Sequence, residues 1–259
     1  MIIMQSNNNQ LIDPVYQTVS SEKTSDKYQL VRTDKVIDVF QDNGWTVNGI
    51  SYAKVRKESK AGFQKHVVVF DNPEFNLGDI KFQLLLTNSH DGTCSYRIDF
   101  GIYRMVCANG LVVGSSMFSY RVAHKGSQVL DLVNEGINYQ VGNAPMIAEK
   151  IQSFKNRILE MPESFALKQQ ALQLRTGKDE VSPMSYTFRQ RRNEDQGADL
   201  WRVFNRIQEG LIKGREKYIE IDPNTGRQKY KTLRQITSPL KQIEINKELW
   251  ELAEQFKAA

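Results

Sequence analysis

The spacing of apolar positions changes character several times along the chain. The first thirty residues have no apolar period: the polar run Asn7 to Gln10 and the Ser/Thr/Lys mixture from Thr18 to Lys27 predict a flexible arm (1–30) outside the core. Thr33-Asp34 followed by Val36, Ile37, Val39 and Phe40 predicts a short capped helix, ended by Asn43-Gly44. From Trp45 to Arg121 the pattern becomes an alternation rich in β-branched and aromatic residues. Trp45 to Val55, His66 to Phe70, Ile80 to Thr87 and Ser95 to Ile102 form four runs separated by Gly, Asn, Asp and Pro clusters. Asn88-Ser89-His90-Asp91-Gly92 has hairpin-loop chemistry, so an antiparallel meander follows. Val112, Val113, Met117, Phe118 and Tyr120 offer one more strand or pair of strands.

After Gly126 the spacing turns helical. Val129, Leu130, Leu132, Val133 and Ile137, then Ile147, Ile151, Phe154 and Ile158, predict one long or broken helix packed on the sheet. Pro162 opens a further helix to Leu174, closed by Thr176-Gly177-Lys178-Asp179. Leu200, Val203, Phe204, Ile207 and Leu211 line one face of a helix from Asp199 to Lys213, with Arg202, Arg206, Glu209 and Lys213 opposite. Tyr218 to Ile221 and Lys229 to Thr232 flank the turn Asp222 to Arg227 and predict a β-hairpin (217–232) between two helices, the last from Lys241 to Lys257. The expected fold is α+β: an antiparallel β-sheet backed by helices (31–175), with a C-terminal basic helix-hairpin-helix extension (176–259) packed on the core.

Composition narrows the class. The chain of 259 residues is 40% hydrophobic and 25% charged, ordinary for a folded protein and long enough for one large or two small domains. Cys94 and Cys107 are its cysteines, no signal-peptide pattern opens it, and no run approaches the roughly 18 apolar residues of a membrane span. The expectation is a protein of the bacterial cytoplasm with no membrane contact. The net charge of +5 is unevenly placed: residues 186 to 241 hold 13 Lys or Arg against 7 Asp or Glu, enough for a long-range pull on a polyanion.

Enzyme motifs are missing. Gly177-Lys178 is followed by Asp179 rather than Ser or Thr, which excludes a phosphate-cradling loop. His66, His90 and His124 lie far apart in sequence, without metal-ligand spacing, so no metal and no cofactor is expected. Cys107 with His124 as base is outweighed by a buried strand-end cysteine, and Asn109-Gly110 reads as a turn. Two basic sets carry more weight. Arg104, Arg121 and Lys125, with His124, would gather at one sheet edge, where Tyr103, Phe118 and Tyr120 either stack on bases or belong to the core. The second set is Arg191, Arg192, Arg202, Arg206, Lys213, Arg215, Arg227, Lys229 and Lys231, the last two on one hairpin face and Tyr230 on the other.

The segments Arg104-Met105-Val106-Cys107-Ala108-Asn109-Gly110-Leu111, Arg121 with His124-Lys125-Gly126, Leu200-Trp201-Arg202-Val203-Phe204-Asn205, Ile236-Thr237-Ser238 and Ile245-Asn246-Lys247-Glu248-Leu249-Trp250 occur in one order across Thr33 to Glu254. In that ordered set the chain resembles the phage/plasmid-like domain-of-unknown-function family 932. The resemblance supplies no catalytic residues. It implies a setting on bacteriophages and plasmids, and so work on DNA. The function expected is non-catalytic binding of nucleic acid, with single-stranded DNA favoured, in recombination or replication and as a homo-oligomer. The alternative is a protein-interaction module, an inhibitor of a host defence enzyme or a structural component, whose basic surface meets an acidic host protein. A metal-dependent enzyme relying on Asp99, His124 or Asp131 ranks last.

Overall fold

A computed structural model describes residues 13–55, 57–77, 80–104, 110–112, 119–124, 128–185 and 188–257. The chain divides into two compact units, 1–144 and 145–259. The division falls within a helix rather than near residue 176.

The first unit is an antiparallel sheet with two helices packed on one face. Helix α1 (Thr33–Asp42) precedes strands β1 (Thr46–Tyr52), β2 (His66–Leu77), β3 (Ile80–Asn88), β4 (Tyr96–Arg104), β5 (Gly110–Val112) and β6 (Ser119–Val122). The order is β1-β2-β3-β4, after which β5 and β6 pair with opposite ends of β4. The expected meander is therefore present, with its final apolar run split into two short strands. Register places Phe70, Leu84 and Phe100 in one row and Val68, Leu86 and Ile98 in the next. These side chains share a face, and all are almost fully buried. Phe40 of α1 stacks on Phe70 at 3.9 Å between ring centroids.

Helix α2 (Val129–Asn156) covers the same face. It is a single helix of 28 residues with Pro145 inside it, and Gln140 Nε2 donates to the Ile98 carbonyl at 2.8 Å. A Cβ at Gly136 would lie 2.6 Å from the Tyr120 ring and 2.8 Å from Ile98 Cδ1, so the helix approaches the sheet through a glycine. The opposite face of the sheet mixes the buried Val67, Val69 and Leu85 with polar side chains. Asp71 accepts from Gln83 Nε2 at 2.7 Å, and Asp99 accepts from Arg97 at 2.8 Å and from Ser119 Oγ at 2.7 Å.

Residues 13–30, expected to stand apart as an arm, pack on this unit: Val15 is fully buried, Gln17 and Ser21 nearly so, and Ser21 N donates to the His90 carbonyl.

The second unit is mainly helical. Helix α3 (Met161–Thr176) begins with a capping box between Glu160 and Glu163 and ends at Gly177 in the left-handed conformation. Helix α4 (Leu200–Lys213) is capped by Asp199, whose side chain accepts from Arg202 N, and α5 (Pro239–Lys257) closes the chain. Phe154, Phe204 and Trp250 form its aromatic centre, with ring centroids 5.0 to 6.4 Å apart. Between α3 and α5 a three-stranded antiparallel sheet runs β7 (Val181–Pro183), β8 (Lys217–Ile221), β9 (Gln228–Thr232). The hairpin β8–β9 is thus the outer part of a small sheet, not a free projection between helices.

No helix among the described residues is long and apolar enough to cross a membrane.

Candidate nucleic-acid interface

The hairpin is shaped by its turn and its base. Asp222 Oδ1 accepts from the backbone N–H groups of Asn224 and Thr225 at 3.0 Å each, which holds its carboxyl below the ordinary range, and Gly226 supplies the positive φ that closes the turn. At the base, Gly214 has φ +73° and a Cβ there would meet the Leu233 carbonyl at 2.6 Å. Arg215 follows with φ +67°, its N–H donating to that carbonyl at 2.8 Å.

Strand β9 is the outer edge of the sheet, and all five of its residues are exposed. Lys229 stands opposite Glu220 and Lys231 opposite Tyr218; Tyr230 stands opposite Ile219, on the other face. Glu220 is already paired with Lys178 at 2.6 Å, which lowers the carboxyl's affinity for a proton. Tyr230 is 70% exposed, the most exposed large hydrophobic side chain among the described residues. Lys217 shares the face of Tyr230 by the period of two, so that face carries a cation beside its aromatic ring. Arg227, at the end of the turn, is exposed.

The other cations expected to form a basic helix face are held by the fold. Arg206 is 8% exposed, its Nη1 donating to the carbonyls of Asp195 and Gly197, and burial lowers its pKa. Arg192 and Lys213 both reach Glu209, at 3.0 and 2.8 Å, and Glu209 is itself buried. Arg202 is paired with its cap residue Asp199 at 2.7 Å, and Arg191 Nη2 donates to the Gly214 carbonyl at 2.9 Å. The face of α4 expected to be a basic, solvated one therefore differs: Arg206 and Glu209 point into the unit, where carbonyls meet the guanidinium and Arg192 and Lys213 meet the carboxylate. Arg215 remains exposed.

The first basic set is less coherent. Arg121 is exposed on the face of the first sheet that points away from α2, directly opposite Arg97 on β4. Tyr120, on the other face, is partly buried against α2 and donates to Glu135 at 3.3 Å. Arg104 ends β4, with its side chain outside the described residues, as is that of Tyr103. Lys125, Cys107, Asn109 and Phe118 lie outside the described residues altogether.

His124 joins a network that its sequence spacing concealed. All three histidines converge: Thr33 Oγ1 lies 2.9 Å from His66 Nε2 and 3.2 Å from His90 Nε2, and Asn88 Nδ2 donates to the same oxygen at 3.0 Å. Asn88 Oδ1 in turn accepts from His124 Nε2 at 2.9 Å. The Gln64 carbonyl accepts from His66 Nδ1 at 3.1 Å, so His66 Nε2 carries a lone pair and the Thr33 hydroxyl donates to it. Tyr28 stacks on the His124 ring at 4.7 Å, and the Tyr96 hydroxyl donates to the Val31 carbonyl. Burial lowers the pKa of all three imidazoles, that of His90 to about 4. The Nδ1 atoms of His90 and His124 have no well-formed hydrogen bond, and the nearby carbonyls of Pro14, Gln29 and Cys94 offset only part of the cost of burial. No group of three His, Cys, Asp or Glu side chains among the described residues is placed to hold a metal ion. The network fastens residues 13–33 and the 122–124 segment to the sheet.

Comparison with known proteins finds a family and relatives by sequence. The family model described as domain of unknown function (DUF932) matches residues 21–250. Two curated relatives from Escherichia coli (strain K12), the UPF0380 proteins YafZ and YfjQ, are each 32% identical over 245 residues, covering 94% of this chain and 88% of theirs. No solved structure matches the chain.

Proposed function

The chain belongs to the DUF932 family, and for this member we propose binding of nucleic acid, single-stranded DNA in preference, through the basic hairpin β8–β9. The reading rests on one observation: β9 is a fully exposed edge strand with Lys229 and Lys231 on one face, an exposed Tyr230 on the other, and the exposed Arg227 in the turn just before it. Cations at alternate positions along an extended strand follow a phosphate backbone, and an uncovered aromatic ring offers a stacking surface to an unpaired base. Duplex DNA keeps its bases stacked inside, so the tyrosine contributes only on single strands. A role in recombination or replication on a mobile element, with several copies along one strand, agrees with such a surface.

The test is fluorescence anisotropy of the nuclease-treated protein with labelled single- and double-stranded oligonucleotides at several salt concentrations. Three phosphate contacts predict a slope of log affinity against log salt of roughly −2 on single strands. Arg227→Gln, Lys229→Gln and Lys231→Gln together should abolish binding with the thermal midpoint little changed, neutral residues avoiding a like-charge pair with Glu220. Tyr230→Ala should weaken binding about tenfold, in line with the ~1–3 kcal/mol of a base–aromatic stack, while leaving the salt slope alone. No binding at low salt would discard this reading in favour of a protein partner, for which the same open edge can accept an added β-strand.

A further inference from the structure

The second unit holds a buried amine against a surface hydroxyl. Lys168, on α3, is 2% exposed, an unusual place for a lysine. Its Nζ lies 3.0 Å from Ser185 Oγ, 2.9 Å from the Ser185 carbonyl and 4.4 Å from the centre of the Phe188 ring. Ser185 is exposed and lines a cavity of about 440 Å³, whose wall also includes Phe188, Arg189, Arg206 and Glu216. Burial lowers the Lys168 pKa to about 8, against the opposing pull of Glu216.

We propose that Ser185 is a nucleophile activated by Lys168 as general base, acting on small anionic carboxylic esters that enter this cavity. A neutral lysine amine has two N–H groups and one lone pair. One N–H donates to the Ser185 carbonyl while the lone pair accepts the Oγ proton, so the observed geometry serves the neutral amine as well as the ammonium. Oγ bonds to the acyl carbon, the bond to the leaving oxygen breaks, and Lys168 passes its proton to the departing alcohol. Water then attacks the acyl-serine, giving its proton through Lys168 to Oγ, which releases the carboxylic acid and restores the hydroxyl. Arg189, exposed on the wall, favours an anionic substrate, since Arg206 is held by the Asp195 and Gly197 carbonyls and Glu216 faces Arg191 at 3.8 Å.

A purely structural lysine, tying the segment after β7 to α3, needs only donors; a base needs the lone pair. The experiment treats the full chain with a small fluorophosphonate and maps the adduct by peptide mass spectrometry. The expected adduct is on Ser185, forms roughly twentyfold faster at pH 8.5 than at pH 6.5, and disappears in Ser185→Ala. Lys168→Arg keeps a donor for the Ser185 carbonyl but cannot take a proton, so it should lose labelling about a hundredfold while retaining the wild-type circular dichroism. Equal labelling of a folded Lys168→Arg variant overturns the proposal. If that variant does not fold, the wild-type protein decides alone, and either no adduct on Ser185 at pH 8.5 or a flat pH profile overturns it.

Discussion

Asn88 holds both ends of its amide in the buried network, donating to Thr33 and accepting from His124. Truncating it strands the His124 imidazole N–H away from water, at a cost of ~1–3 kcal/mol, while the Thr33 hydroxyl keeps His66 and His90 as partners. Asn88→Ala should therefore lower the unfolding free energy by about 1–3 kcal/mol, measured by urea titration. The histidines around it make stability depend on pH. An exposed histidine in the unfolded chain titrates near 6.5, whereas His90 in the folded protein titrates at about 4. Between these values the unfolded chain binds more protons, so stability falls as the pH drops through 6.5, the loss from His90 being complete below about 4. The interval corresponds to roughly 3 kcal/mol for His90, with further losses in the same direction from His66 and His124. Thermal melts between pH 7.5 and pH 4.5 should show a midpoint that declines throughout that range; a flat profile would mean that the imidazoles are solvated.

Elements meet through particular residues that their own patterns do not announce. The face of α2 that approaches the sheet closes on Gly136, and a branched side chain there has no room beside Tyr120 and Ile98. Gly136→Val should cost about 1–3 kcal/mol by overpacking, and an accompanying Tyr120→Ala should recover part of it in the same unfolding assay. The hairpin was legible from its sequence because period-two residues flank a turn of Asp222, Pro223, Asn224 and Gly226, and turn chemistry is local. The fate of the cations was not. Arg206 and Arg227 look alike in a helical or strand pattern, yet one ends among the Asp195 and Gly197 carbonyls and the other in water, because the packing of α4 on neighbouring segments decides which charges are covered. Lys168 illustrates the same point: its contact with Ser185 joins positions 17 residues apart through a loop that no motif marks.

At the level of the whole molecule, the two units should answer acid differently. The three histidines all lie in unit 1 (residues 1–144), so hydrogen exchange at pH 5 should accelerate in β2, β3 and β4 while α4 and α5 keep their pH 7 protection after correction for intrinsic rates. Uniform acceleration in both units would refute the assignment of acid sensitivity to the histidine network. The class of fold, the order of strands and helices, and the hairpin followed from the sequence by itself, since the repeats of two and of 3.6 residues are set by backbone geometry within each element. The gathering of His66, His90 and His124 around Thr33 and Asn88, the burial of Val15, Gln17 and Ser21, and the division of cations into bound and exposed were decided only by tertiary structure. Those features depend on contacts between residues distant along the chain, and a local periodicity carries no record of which surfaces come to face one another.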